Sequence, residues 1–296
     1  MREHDKNNET AAGYVLVALS AMCFGIMPIL AKAAYASGEG TTSLLLLRFG
    51  IGGLFLFILG RARRMKLPPK KSILPLFLLG ALGYTGQSFC YFTALKFASA
   101  STVALLLYVY PALVTFLSAV FLHEKITSKK LAELVCALLG CALIIGFEGR
   151  GDIRGMALAL ASAMIYAVYI ICSSRVVTNE TAVACSSFIM LSASFSLSII
   201  LAFEGFQPPR TGRGVAATIA IAFFSTVIAF WAFFSGLGRI GPTNASLVST
   251  LEPLVTVICA TLFLGERFSP TNVLGGVCIL LALVESALPS RKKHVP

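Results

Sequence analysis

The sequence predicts an all-α membrane protein of ten transmembrane helices, arranged as two inverted five-helix repeats. Three observations predict it. The chain is 57% hydrophobic and only 12% charged, with a mean hydropathy of +0.86; soluble domains carry about 25% charged residues. Sliding the sequence by 142 residues sets Gly13 on Gly155, Pro111 on Pro253 and Glu124 on Glu266 without a gap. Each copy holds five apolar stretches long enough to cross a bilayer, and an odd number of crossings sends the second copy in with reversed orientation.

A spanning helix needs about 20 mostly apolar residues. After a polar tail over residues 1–12, the first span (13–34) opens the first repeat, 13–147. The second (43–60) follows the turn Gly38-Glu39-Gly40. The third (73–95) follows Pro68-Pro69 and carries Gly80-x-x-Gly83-x-x-Gly86, small residues at intervals that let helices approach closely in lipid. The fourth (101–122) contains Pro111, and the fifth (131–147) runs into the linker Gly149-Arg150-Gly151-Asp152. The second repeat, 155–288, supplies the sixth span (155–173) and a serine-rich seventh (183–203), where the serines suit helix packing. The eighth (215–236) follows Pro208-Pro209, the ninth (243–264) follows Gly241-Pro242, and the tenth (270–288) carries Gly275-Gly276. A basic tail, 289–296, completes the chain.

Lys and Arg set the orientation. With the N-terminus inside, 16 basic residues fall on the cytoplasmic side and 6 outside, so both termini are expected inside. The net charge of +11 is thereby explained by short loops between spans, and nucleic acid is not an expected partner. The leader Met1–Thr10 nets about −1, the wrong sign for a signal peptide, so the first stretch is expected to stay as a span. All eight cysteines lie in or beside apolar stretches and none forms a CxxC pair, which reads as small buried hydrophobes and excludes a disulfide frame or a metal site. There is no GxxxxGK[ST] loop, no HExxH and no GxSxG elbow. Neither an enzyme, a cofactor nor direct use of ATP is expected.

Ionisable groups within spans are costly and therefore point to function. Glu252 lies midway along the ninth span, directly before Pro253, and Pro111 marks the same place in the fourth. Proline removes a backbone donor and clashes with the preceding turn, so both are expected helix breaks. A carboxylate beside a break suits a cation, an amine or a proton; the competing reading is an internal ion pair with Arg48 or Lys32. Arg48 either reaches to the outer interface or locks two helices, and Lys32 sits where a lysine extends to the surface. Glu124 and Glu266 share one repeat position at span ends, which argues for capping, gating or pairing.

Two polar stripes complete the candidates. Tyr84, Gln87, Ser88 and Tyr91 share a face of the third span, and Ser162, Tyr166, Tyr169 and Ser173 share a face of the sixth. They line a cavity or bond between helices. The third-span stripe has no polar counterpart: its repeat partners are Thr226, Ala229, Phe230 and Phe233. Tyr108 before Pro111, Ser249 before Glu252, and Trp231 in the eighth span are further cavity candidates. Aromatic rings there either stack on a ring-bearing substrate or pack the bundle.

Several motifs are those of a known family. They are Ala94-Leu95-Lys96-Phe97-Ala98-Ser99-Ala100-Ser101, Tyr110-Pro111 and Phe121-Leu122-His123-Glu124-Lys125 in the first copy. The second copy has Gly236-Leu237 through Ser246, Leu251-Glu252-Pro253 and Leu262-Phe263-Leu264-Gly265-Glu266-Arg267. Together with Arg48-Phe49, Phe24-Gly25 and Lys32, they resemble the drug/metabolite transporter superfamily in its EamA-type branch. Phe24 stands where the family often has tryptophan, and His123 where glycine is usual. The resemblance covers nearly the whole chain and implies ten helices, a central cavity and alternating access. Family members move amino acids, nucleotide sugars, amines and drugs. The expectation is a plasma-membrane exporter of a small metabolite, an amino acid or related compound, as monomer or homodimer, with protons as a further partner through Glu252. A non-transporting membrane scaffold is the alternative.

Overall fold

The computed structural model describes residues 3–94, 97–98, 100–145, 152–178, 181–264 and 269–287. These form helices and no strand. The helices are α1 (Glu3–Gly25), α2 (Met27–Ala36), α3 (Thr41–Ala62), α4 (Lys70–Leu78), α5 (Thr85–Ala94), α6 (Ala100–Leu107), α7 (Tyr110–Phe121) and α8 (Ser128–Ile145). They continue as α9 (Ile153–Val176), α10 (Ala182–Glu204), α11 (Gly212–Ala222), α12 (Ala229–Val248), α13 (Leu251–Leu264) and α14 (Pro270–Ala287). Two single π-helical turns, Leu79–Tyr84 and Phe223–Ile228, join α4 to α5 and α11 to α12. Among the described residues, 8 continuous helical segments are long and apolar enough to cross a membrane, and Leu251–Phe263 is a shorter apolar helix. Helices are the natural solution, because every backbone polar group in lipid must be satisfied within the segment. The chain is a multi-pass membrane protein.

Several spans are less regular than the sequence suggests. The chain is helical from Glu3, so the helix reaches well into the expected tail over 1–12. The first span is jointed at Ile26, with Pro28 in the first turn of α2. The ninth span, expected over 243–264 with a break at Pro253, is two helices meeting at a turn over 249–250. Its first part is continuous with the eighth span, since α12 runs through Gly241 with only a kink there (φ 77°, ψ 168°). The cause is steric. A proline ring clashes with the carbonyl four residues back; for Pro253 that is Ser249, and for Pro111 it is Leu107, where α6 ends.

Small residues set the closest helix contacts. α8 lies along α14, α1 along α12 and α3 along α10. A Cβ on Gly140 would stand 2.6 Å from the Gly275 carbonyl, and one on Gly275 would stand 2.6 Å from the Gly140 carbonyl. On the first π turn, a Cβ at Gly80 would fall 2.1 Å from the Ile189 carbonyl of α10. The serines of α10 mostly bond back along their own helix: Ser187 Oγ donates to Ala184 O (2.8 Å) and Ser192 Oγ to Phe188 O (2.6 Å). They keep that surface thin.

The α8–α14 contact gives a test of the packing. Gly140→Ala should lower the thermal midpoint of the purified protein, with overpacking worth about 1–3 kcal/mol. Gly212→Ala meets nothing within 4 Å and should match the wild type. Equal midpoints for all three would contradict the close approach.

Candidate functional site

Interrupted helices converge on one region. The α6–α7 break places Tyr108 and Tyr110 around a turn, and the α12–α13 break places Ser249 and Thr250 around another. The α1–α2 joint packs on the start of α13: Thr256 Oγ1 lies 2.9 Å from Gly25 O and 3.0 Å from Glu252 O and donates to one of them at a time. The Thr250 carbonyl, left free by the break, accepts from Cys141 Sγ of α8 at 4.0 Å. Glu252 therefore sits in the first turn of α13, partly accessible, at a point where helices from both halves meet. Its near neighbours are the Tyr108 hydroxyl and, across the region, the Arg48 guanidinium. Tyr110 faces Ser249 in the same way.

Aromatic rings wall this region in one connected series. Tyr108 and Tyr110 have centroids 6.2 Å apart, Tyr110 and Tyr166 4.7 Å, and Tyr166 and Tyr169 6.0 Å in a stacked pair. Tyr169 then meets Tyr84 at 5.4 Å, and Tyr84 meets Phe230 at 5.0 Å. Phe49, Phe234 and Phe24 branch from it. The edge-to-face pairs among them, Tyr110–Tyr166 and Tyr84–Phe230, add about 0.5–1.5 kcal/mol each beyond area burial.

Arg48 is 3% exposed and does not reach the membrane surface. Its Nε donates to Thr226 Oγ1 (2.8 Å), and Nη2 donates to Ser225 O (3.1 Å) and faces Tyr84 OH at 3.5 Å. The guanidinium also lies 4.9 Å from the Phe49 ring centroid. Among the described residues, no ion pair joins Arg48 to Glu252, and Nη1 has no hydrogen-bond partner. The Arg48 guanidinium and the Glu252 carboxyl thus lie in one region with no ion pair between them. Arg48 also links α3 to the second π turn, so it serves as a helix lock.

The other candidates divide. Gln87 Nε2 donates to Ser162 Oγ (3.1 Å), Ser162 Oγ donates to Gln87 O (3.0 Å), and Ser88 Oγ donates to Gln87 Oε1 (3.3 Å). These three are engaged with one another, tying α5 to α9. Tyr91 is partly accessible beside Phe92 (5.5 Å). Trp231 is 39% exposed and stands away from the ring series, which takes Phe230, Phe233 and Phe234 from the opposite face of α12. Lys32 is exposed on α2. Glu124 accepts from Thr243 Oγ1 at 2.7 Å and pairs with Lys130 at 3.6 Å, fastening the α7–α8 loop to the kinked part of α12. Glu266 lies outside the described residues, as do the linker at 146–151 and the basic tail.

Sequence reasoning missed Thr226, Ser225 and Phe230 as site residues. Their signal was present in the repeat. Thr226 is the repeat partner of Tyr84, and both meet Arg48. Phe230 is the partner of Ser88, and it meets Tyr84.

The model of the EamA-like transporter family matches residues 11–146 and again residues 153–286. Among curated relatives, an uncharacterized transporter of Bacillus subtilis, YcbK, is 25% identical over 292 residues, covering 92% of each chain. The aromatic amino acid exporter YddG of Ancylobacter novellus is 27% identical, covering 88% of this chain and 94% of its own. A probable terminal-alkyne amino-acid exporter of Streptantibioticus cattleyicolor is 24% identical over 81% of each. One crystal structure superposes with a TM-score of 0.79 at 21% identity, covering 93% of this chain and 96% of that one, so the two share a fold.

The Gln87–Ser162 contact can be measured. Gln87→Ala, Ser162→Ala and the double variant should give a coupling of about 0.6 kcal/mol in a thermodynamic cycle, the mean for interhelical bonds in membranes. Strictly additive losses would show that the two side chains do not bond.

Proposed function

The chain belongs to the EamA-like transporter family, and from that premise we propose that it is a secondary transporter exporting a small zwitterionic metabolite, an amino acid or a related compound. In this reading ten spans form two inverted repeats and work by alternating access across the plasma membrane, with both termini cytoplasmic. The family is a transporter family and not an enzyme class.

One observation carries the choice of substrate. Arg48 and Glu252 are opposite charges in the bundle interior, unpaired with each other, beside a wall of tyrosines and phenylalanines. An unneutralised charge in this setting is expensive unless something answers it. An α-amino acid supplies both answers: its carboxylate suits the free Nη1 face of Arg48, and its ammonium suits Glu252. The rings suit an apolar or aromatic side chain. Two relatives are named as amino acid exporters, which agrees with this class and with the direction. The interrupted helices supply the mobile parts, since short helix segments around a fixed site are a common transporter device.

Proton coupling through Glu252 completes the proposal. A carboxyl that exchanges a proton for the substrate ammonium alternates its occupant and so couples the two flows. Glu252→Gln keeps the shape and hydrogen-bonding capacity of the side chain. In everted vesicles it should fold and insert normally but lose accumulation driven by a pH gradient, while the wild type loses it only when a protonophore is added. The contrary result is poor expression of Glu252→Gln, rescued together with pH-dependent transport by Arg48→Gln. That pattern would assign Glu252 to neutralising Arg48.

A further inference from the structure

The end of the bundle that the charge count places outside is closed by a seam between the two halves. It joins the α2–α3 turn to the segment between α10 and α11. Gly40 N donates to Gln207 O (2.9 Å), Arg210 N to Ser37 O (3.1 Å) and Gln207 N to Ser43 Oγ (2.8 Å). Thr42 Oγ1 donates to Glu204 Oε2 at 2.6 Å. Gly214 at the start of α11 comes so close that a Cβ there would lie 2.1 Å from Ser37 Oγ.

Glu39 is enclosed in this seam, with 5% of its surface exposed. Its Oε2 lies 2.6 Å from Thr218 Oγ1 of α11, and its Oε1 is buried without a hydrogen-bond partner. Among the described residues no cation lies within ion-pair distance of it. The Arg210 side chain runs over Gly38, with Cδ 3.5 Å from the position of a Cβ there, and forms no pair with Glu39. On α2 the titratable neighbour is Tyr35, on which Glu39 and, from α3, Arg48 both act. On α10 the charged group is Glu204, occupied by Thr42.

Proton counting at Thr218 shows what Glu39 carries. The Thr218 hydroxyl oxygen also lies 3.0 Å from Gly214 O, the usual bond of a helical threonine to the carbonyl four residues back. One hydroxyl has one proton and cannot serve both acceptors. If Glu39 is ionised, Thr218 gives its proton to Glu39, the Gly214 bond is lost, and the seam encloses a bare negative charge. If Glu39 carries a proton on Oε2, it donates to Thr218, and Thr218 donates on to Gly214 O. Both contacts are then satisfied and no cation is required.

We propose that Glu39 is a proton-binding site whose occupancy holds the outer end of the bundle closed, and whose deprotonation releases the seam between residues 37–43 and 204–218. Burial acts in the same direction, pushing the Glu39 carboxyl above the ordinary carboxylate range. An exposed glutamate, as in the opened seam, titrates at about 4.3. The closed form binds the proton more tightly than the open form. Closure is therefore strongest below that value and weakens as pH rises from it through the raised value of the closed state.

Amide hydrogen exchange on the purified protein in lipid nanodiscs reads the seam directly, corrected at each pH for intrinsic exchange. In the wild type, peptides covering 37–43 and 205–214 should exchange measurably faster once Glu39 is ionised. Glu39→Gln mimics the protonated acid and should keep these amides protected across the range. Thr218→Val removes the hydroxyl that accepts from the protonated acid and should move the opening to lower pH. A seam that ignores pH in the wild type, or that opens with the same midpoint in Thr218→Val, overturns the proposal, even if Glu39→Gln does not fold. The readout needs no substrate, so a failure of the transport reading would leave this result standing by itself.

Discussion

A guanidinium enclosed in an apolar bundle must be answered by protein, and Arg48 is answered without a carboxylate. Much of the architecture follows from that. Its Nε needs the Thr226 hydroxyl and its Nη2 needs the Ser225 carbonyl. Both lie on the second π turn, where the local widening of the helix frees carbonyls for other partners. Thr226 Oγ1 also bonds Ile221 O, five residues back (3.1 Å), as Thr85 Oγ1 bonds Gly80 O in the first π turn (3.0 Å). Ser225 Oγ in turn holds Cys23 O of α1 at 2.6 Å. One buried cation thus gathers α1, α3 and the α11–α12 junction, and Tyr84 brings in the third span.

The same constraint explains why polar groups gather where helices break. Each break frees carbonyls that lipid cannot satisfy. At 249–250 they are met by Cys141 and by backbone; beside Gly25 they are met by Thr256. Groups able to satisfy such carbonyls are also able to meet a polar solute. The ring series around them sets apolar surface beside these polar groups within one region.

Much of this was legible in the sequence because its physics is local or repeats. The apolar runs, the 142-residue offset and the two prolines lead to helices, a duplicated motif set and the breaks after Leu107 and Val248. What the sequence hid depends on tertiary context. A π turn has no strong local signature, yet it rotates everything beyond it. The stripe of Tyr84, Gln87, Ser88 and Tyr91 therefore divides: Tyr84 ends the π turn and joins the rings, Gln87 bonds Ser162 of α9 with Ser88 bonded to Gln87, and Tyr91 turns to Phe92. Trp231 was a candidate as a lone tryptophan within a span, but its neighbours Phe230 and Phe234 hold the inward face. Glu39 read as an ordinary turn residue between two glycines, because only the α10–α11 segment, far along the chain, encloses it.

The central claim is that opposed, unpaired charges beside an aromatic wall hold a zwitterionic substrate that crosses the membrane. Counterflow in proteoliposomes containing only the purified protein tests it most directly. Vesicles loaded with an unlabelled aromatic or branched amino acid should take up the labelled compound. Analogues lacking either the ammonium or the carboxylate should drive at least about tenfold less uptake, the scale expected when a charged partner is left unmatched. Folded protein that supports no counterflow with any zwitterion, or that moves the one-charge analogues equally well, would contradict the account.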